Sequence, residues 1–477
     1  MMKKLLSLLL AGVLSLGLFA CGGGSDDSAP DSIDIEGELS GDEKIVIEFM
    51  GWGDTDEERN YQTLVNNFMA ENPNIIVDYT CQSSTTYMDS LQNRANNLPE
   101  LFYMPDYDFL EWAANGMLLD ITTYVTADDL NKLWPDAVNE YYFNSDTMTL
   151  GKSEGAKLYG LPKDLGPFTL VYNKTVLDQK IAEYGLNSDE IYGILDPTDP
   201  MTWDELIYVL KAVDRDATDD FYGISHYELQ AAIYSNDANF FTDDASEERI
   251  SNKNFYEAVQ FIVDLATVHH VMPEAAKQSA NNGYTRFKSG GCVFSFMGPW
   301  DCANFWRDVT FEYDILPVAY NGNNPNAKST AWVGSMGYCL NGKLRDSKKI
   351  AAAIKLANYL CADEGAQREF YKLGQQVPNI QTMAFGEYLD ANNQYLTGKN
   401  PVNRNVWVDT IYNSGANDKI HGKTRAHYYT YSSEWLVNLT DHFDTLGMWD
   451  AKVTAQEACE SFAEEFQGLL DDMRGNM

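Results

Sequence analysis

The chain has 477 residues and carries 71 acidic against 34 basic side chains, a formal net charge of −37. A surface this acidic is repelled by phosphate backbones, so nucleic acid is excluded as a partner, and the charge serves solubility. The length exceeds what one hydrophobic core spans, and 44% apolar residues suffice for two or more.

Lys3 and Lys4 precede an apolar run from Leu5 to Phe19 that closes on Leu18-Phe19-Ala20-Cys21. A charged start, a short apolar stretch and a small residue before the cut form an export signal, too short for a stable membrane span. A cysteine directly after the small residue resembles a bacterial lipobox. The expectation is a signal peptide over 1–20, an acylated Cys21 and a body tethered to the bilayer on the extracytoplasmic face. Residues 22–43 are almost all Gly, Ser, Asp, Glu and Pro. That composition cannot bury enough apolar surface to order itself, so 21–43 reads as a flexible leash.

From Lys44 onward, strand and helix patterns alternate. Ile45 to Met50 is a short apolar strand, followed by the turn Gly51-Trp52-Gly53-Asp54. A helix from Glu57 to Asn72 buries Tyr61, Leu64, Val65, Phe68 and Met69 on one stripe and stops at Pro73. Strands at 75–79 and 101–104 flank a helix over 87–97, and the next helix ends at Gly116 as a C-cap. Thr202 with Glu205 is a capping box, Cys292 to Met297 a strand ending at Gly298-Pro299-Trp300, and Ser347 to Leu360 a helix. Thr454 with Glu457 caps a last helix reaching Met473. The alternation argues an α/β fold with largely parallel sheets.

Cys81, Cys292, Cys302, Cys339, Cys361 and Cys459 show no metal-type spacing. An exported chain permits disulfides, and buried free thiols are the alternative. His269-His270 lack a second ligand pair, and Asp54-Thr-Asp56-Glu-Glu58 lacks the glycine and distal glutamate of a calcium loop. No cofactor, metal or nucleophile motif appears.

Four passages carry a family resemblance. They are Trp52-Gly53-Asp54 with the helix ending Glu71-Asn72-Pro73-Asn74; Lys157-Leu-Tyr-Gly-Leu-Pro162-Lys163 with Leu170-Val-Tyr172-Asn173-Lys174; Phe294-Ser-Phe-Met-Gly298-Pro299-Trp300 with Ile315-Leu-Pro317-Val; and Val333-Gly334 with the helix from Lys348 to Glu364 and Val377-Pro378-Asn379-Ile380. In this order they resemble the extracytoplasmic solute-binding proteins of ABC importers, the group that includes the maltose-binding protein. The resemblance implies a two-lobed periplasmic-binding-protein-like fold, each lobe a mainly parallel sheet flanked by helices, with a hinge of several chain crossings. Lobe one would hold 44–161 and 330–370, lobe two 162–329 and 371–477, with crossings near Leu161-Pro162, 318–330 and Gly374. It also implies capture of a carbohydrate, an oligosaccharide first, and delivery to membrane permease subunits by a monomer without enzymatic activity. A surface glycoside hydrolase, or the same fold holding a peptide or polyamine, stands as the alternative.

A sugar offers apolar C–H faces and a rim of hydroxyls, so its site needs aromatic platforms with carboxylates, amides and basic donors. Trp300 matches the family's stacking tryptophan, with a packed lobe residue as the alternative. Trp52 and Asp54 fall in the first strand-to-helix loop, where Asp54 is either a hydroxyl ligand or a helix N-cap. Asp106 and Tyr107 follow the third strand. Lys163 and Asp164 sit at the first crossing, as cleft residues or as a structural salt bridge. Tyr227 and Glu228 fall near the family's acid and aromatic, and Trp332 and Gly334 lie on the return into lobe one. Trp407, with Arg425 and Trp435, belongs to a C-terminal region that departs from the maltose-binding pattern after Ile380.

Overall fold

The structure is a computed structural model describing residues 29–215, 220–280, 282–412 and 418–475. The export signal and Cys21 lie outside the described residues. Among those residues no helix is long and apolar enough to cross a membrane.

Two sheets organise the chain. The first has six strands: β1 (Ile45–Trp52), β2 (Ile75–Gln82), β3 (Leu101–Pro105), β7 (Gly160–Pro167), β12 (Ser329–Leu340) and β13 (Ile420–Thr424). A small hairpin sheet of β4 (Tyr142–Asn144), β5 (Thr149–Leu150) and β6 (Lys157–Leu158) sits beside it. The second sheet runs in the order β11 (Tyr313–Leu316), β8 (Thr169–Asn173), β10 (Cys292–Met297), β9 (Tyr222–Ile224).

The expected mainly parallel sheets are mixed. β1 pairs parallel with β2 and β3, and β12 with β13, but β12 runs antiparallel to both β3 and β7. In the second sheet β8 runs antiparallel to β10 and β11. Within these two sheets the antiparallel pairs all involve β7, β8 or β12, which carry the chain from one sheet to the other. A strand that arrives across the hinge has no crossover helix of its own to return it in the parallel direction.

β7 passes through Phe168 straight into β8, which makes the first crossing. β11 leads to β12, the second. Past Gly374 the described chain touches both lobes. Tyr371, Val377 and Ile380 pack in the first core and β13 extends the first sheet, while the Asn400 carbonyl accepts from Trp306 and Tyr313, the Asn403 N–H reaches Asp314 and Ala426 packs in the second core. The helix Glu434–Leu446 then places Trp435, Leu439 and Phe443 in the core of lobe two with the final helix Ala455–Gly475.

Local signals hold well. Asp54 caps the helix Thr55–Glu71, Thr202 and Glu205 form the reciprocal capping box, and Thr454 pairs with Glu457. The leash is shorter than its composition suggests. Asp34 caps a turn of helix Ile35–Glu38, Leu39 is buried, and Glu36 and Glu43 pair with Lys355 and Lys348 of the helix Ser347–Ala362. Ion pairs and one buried leucine order a segment that lacks a core of its own. The six cysteines are free thiols, five of them buried.

Candidate functional site

Loops after the strands of an open α/β sheet are where ligands collect, and here β1, β3, β10 and the start of β12 bring their ends together. Trp52, closing β1, meets Tyr87 edge-on at 5.1 Å and stacks with Tyr107 at 6.5 Å and 15°. Asp54 is first a helix cap: one carboxylate oxygen accepts the N–H groups of Asp56 (2.8 Å) and Glu57 (3.0 Å). Its other oxygen faces the amide of Asn304, across in lobe two, at 3.5 Å.

Asp106 opens the helix Asp106–Ala114 and is 1% exposed. Its carboxylate takes both arms of Arg425, Nε at 2.9 Å and Nη2 on the second oxygen. Arg425, just past β13, lies between two rings, 5.5 Å from Tyr107 and 5.2 Å from Trp332. Gly334 permits this: a Cβ there would stand 2.9 Å from the Trp332 ring and 3.4 Å from Arg425. The bidentate pair and the two cation–π contacts fix the guanidinium as one half of an ion pair beside the two rings.

On the lobe-two side Trp300 sits in the short turn Pro299–Asp301 after β10. Its ring stacks with Phe168 at 5.8 Å and 10° and with Trp332 at 6.1 Å and 21°. Asp301 anchors the turn by accepting the Gly298 N–H and the Tyr284 hydroxyl, both at 2.9 Å, and burial pushes its carboxyl up to about 7. Glu228 caps the helix Leu229–Tyr234 through the N–H groups of Gln230 and Ala231. The indole N–H of Trp332 faces that carboxylate without completing a hydrogen bond.

His427 is 6% exposed and edge-on to Tyr107 at 5.6 Å. Burial and Arg425 hold its imidazole neutral, down to about 4, and neither ring nitrogen has a partner. One aromatic band therefore runs from Trp52 through Tyr107, Arg425 and Trp332 to Trp300, with polar atoms left unpaired along it.

Several expected residues lie elsewhere. Lys163 is buried with its ammonium 2.8 Å from Asp164 and 3.2 Å from Glu57, above the rings of Tyr61 and Tyr103. Burial pulls its pKa down, but the two carboxylates outweigh that and raise it; this is the structural salt bridge. Tyr227 gives its hydroxyl to the Ala319 carbonyl at 3.0 Å and packs edge-on against Phe261 and Phe296. Trp407 is wholly buried with its N–H on Thr169 at 3.0 Å, and Trp435 is wholly buried in the other core. Both rings lie on the buried faces of their helices and are packed against the core. Phe168 and His427 were not anticipated. The only local signal for Phe168 was Gly166-Pro167 before it at the crossing, and His427 had none.

Two lobes with linked sheets, and a polar-aromatic band where their strand ends meet, define a solute-binding architecture. The family profile of the bacterial extracellular solute-binding proteins matches residues 63–395, and the chain belongs to that family. Solved structures agree in fold. An ABC substrate-binding protein from Listeria monocytogenes in complex with cycloalternan is 20% identical over 91% of this chain and 100% of that one, with a TM-score of 0.70. The cyclic α-maltosyl-1,6-maltose binding protein of Arthrobacter globiformis is 17% identical over 90% and 100%, TM-score 0.66. A maltodextrin-binding domain from Bdellovibrio bacteriovorus bound to maltotriose is 16% identical over 91% and 100%, TM-score 0.63. No curated protein matches the chain.

Proposed function

We propose that this protein captures an extracellular carbohydrate, an oligosaccharide first, between its lobes and hands it to the permease of an ABC importer, held at the membrane by a lipid on Cys21. One observation carries the reading. Half-buried aromatic faces (Trp52, Tyr107 and Trp300) flank the pair of buried Asp106 with half-buried Arg425 and the unpaired nitrogens of His427 and Trp332. Flat apolar faces suit the C–H surfaces of a sugar ring, and unpaired donors and acceptors suit its hydroxyls. Cycloalternan and maltotriose in proteins of the same fold support this solute class.

A thermal-shift screen against a glycan panel tests it. A ligand bound only by the folded state adds about 2.7 kcal/mol at 100 times its dissociation constant, a readily measured rise in midpoint. Calorimetry and product analysis on each hit follow. Stoichiometric binding without products is expected. Turnover would make the protein a glycoside hydrolase, and shifts only with peptides or polyamines would remove the sugar.

A further inference from the structure

Behind the first sheet lies a cavity of about 690 Å³ that the sugar reading does not use. Alternation along a strand separates the two sites. On β12, Trp332 and Gly334 face the aromatic band while Val333 lines the cavity; on β7, Gly166 meets Trp300 while Leu165 lines the cavity. Most of the wall belongs to lobe one, including the end of the helix Asn405–Tyr412 and β13, and lobe two contributes the loop at Asp243 and Asp244. The volume is that of an ordinary small-molecule site.

The floor is apolar, with Leu110, Leu150, Leu165, Val333 and Ile411. One acid interrupts it. Glu140 is 5% exposed, and one of its oxygens accepts the Thr424 hydroxyl at 2.8 Å. The other oxygen, buried, has no partner. Ser335 also faces this carboxyl but gives its proton to the Asp164 carbonyl at 3.1 Å. Arg425 is committed to Asp106 on both arms. At the mouth stand Asp136, Asp243 and Asp244, with Lys423 as the single cation among the described lining residues, and its ammonium lies 4.9 Å above the Tyr234 ring.

We infer that this cavity is a second ligand site, for an amphipathic organic cation whose ammonium reaches Glu140 while its apolar body covers the leucine, valine and isoleucine floor. A buried carboxyl with a free oxygen is costly unless something completes it, and a charge-assisted hydrogen bond is the strong way to do so. The acidic mouth favours a cation over an anion. The groups facing Glu140 are Asp106, Arg425, Thr424, Tyr141, Tyr428 and Tyr429. Burial and then Asp106 hold its proton up to about 8, so the bound ammonium takes the place of that proton and its affinity rises with pH up to that value.

The probe is 2-phenylethylammonium, with 2-phenylethanol as its neutral counterpart, titrated into the full soluble chain by calorimetry and ligand-observed NMR. The ammonium is expected to bind at least roughly tenfold tighter than the alcohol. Glu140→Gln removes that preference, and Trp300→Ala leaves it intact. Asp243→Asn with Asp244→Asn, both exposed, weakens only the ammonium, by roughly threefold, and stands in if Glu140→Gln fails to fold. Equal binding of both probes, no saturable binding up to about 10 mM, or a preference unmoved by these variants would overturn the assignment. No carbohydrate enters this assay, so a failed glycan screen leaves the result untouched.

Discussion

Gly166→Ala tests the aromatic band without removing any ring from it. A Cβ at this position would stand 2.3 Å and 2.8 Å from two carbons of the Trp300 indole. Ordinary carbon contact begins near 3.5 Å, so the ring must retreat by about 1.2 Å. Retreat disturbs its stacks with Phe168 and Trp332, each pair worth about 0.5–1.5 kcal/mol. The expected cost is about 1 kcal/mol of sugar affinity, or roughly fivefold, with a small loss of melting temperature. Trp300→Ala should cost roughly 1–3 kcal/mol of affinity, since the whole platform goes. The assay is calorimetry with the best glycan on the wild type, both single variants and the double variant. If Gly166 acts through Trp300, adding Gly166→Ala to Trp300→Ala costs nothing further. Additive losses would show that Gly166 matters for some other reason, and unchanged affinity in Trp300→Ala would retire the platform.

Other expectations follow from the same geometry. Asp106→Asn leaves the half-buried Arg425 without its countercharge, so urea unfolding should show a loss, at most about 3 kcal/mol, even without ligand; a loss confined to binding would mean the pair is not structural. Glu140 holds its proton up to about 8, so the folded state carries a proton the unfolded chain has lost, and stability falls as pH rises from 6.5 to 8. Glu140→Gln should flatten that fall by up to about 1.4 kcal/mol per pH unit, and parallel curves for variant and wild type would refute it. His226 and His427, held down to about 4 by burial, contribute below that window and do not confuse it. Cys21→Ser should move the protein from the membrane fraction to the medium, because a two-chain lipid anchor holds firmly; a variant still bound to membranes would refute the lipobox.

What the sequence disclosed were features decided within a few residues. Cys292–Met297 was bounded to the residue because its apolar run ends at Gly-Pro, and the Thr202 cap was legible because both partners lie within one turn. Trp300 was chosen for its turn after a strand and its match to the family, Trp332 for its place on the return into lobe one, and their rings stack at 6.1 Å. Trp407 misled because Val406, Val408, Thr410 and Ile411 are buried with it, leaving only Asn405, Asp409 and Tyr412 outward, so the sequence does not mark which apolar side meets the core. Arg425 could not be paired with Asp106 by inspection, since 319 residues separate them. Lys163 was the harder case: a lysine beside an aspartate at a crossing reads the same whether it faces solvent or two tyrosine rings. The order of residues 34–43 escaped because it depends on lysines more than 300 positions away.

The distribution of the thiols gives the molecule an internal gauge of its own breathing. Cys339 and Cys361 sit in the core of lobe one, Cys459 in that of lobe two, and burial drives all three thiols well above their usual range. A thiolate reagent can reach them only when the surrounding lobe opens. Cys81, half-buried and raised to about 11, stands as the surface reference. Labelling rates at single cysteines would therefore time the opening of each lobe separately, with no probe engineered in, and show which half of the hinge a bound solute holds shut.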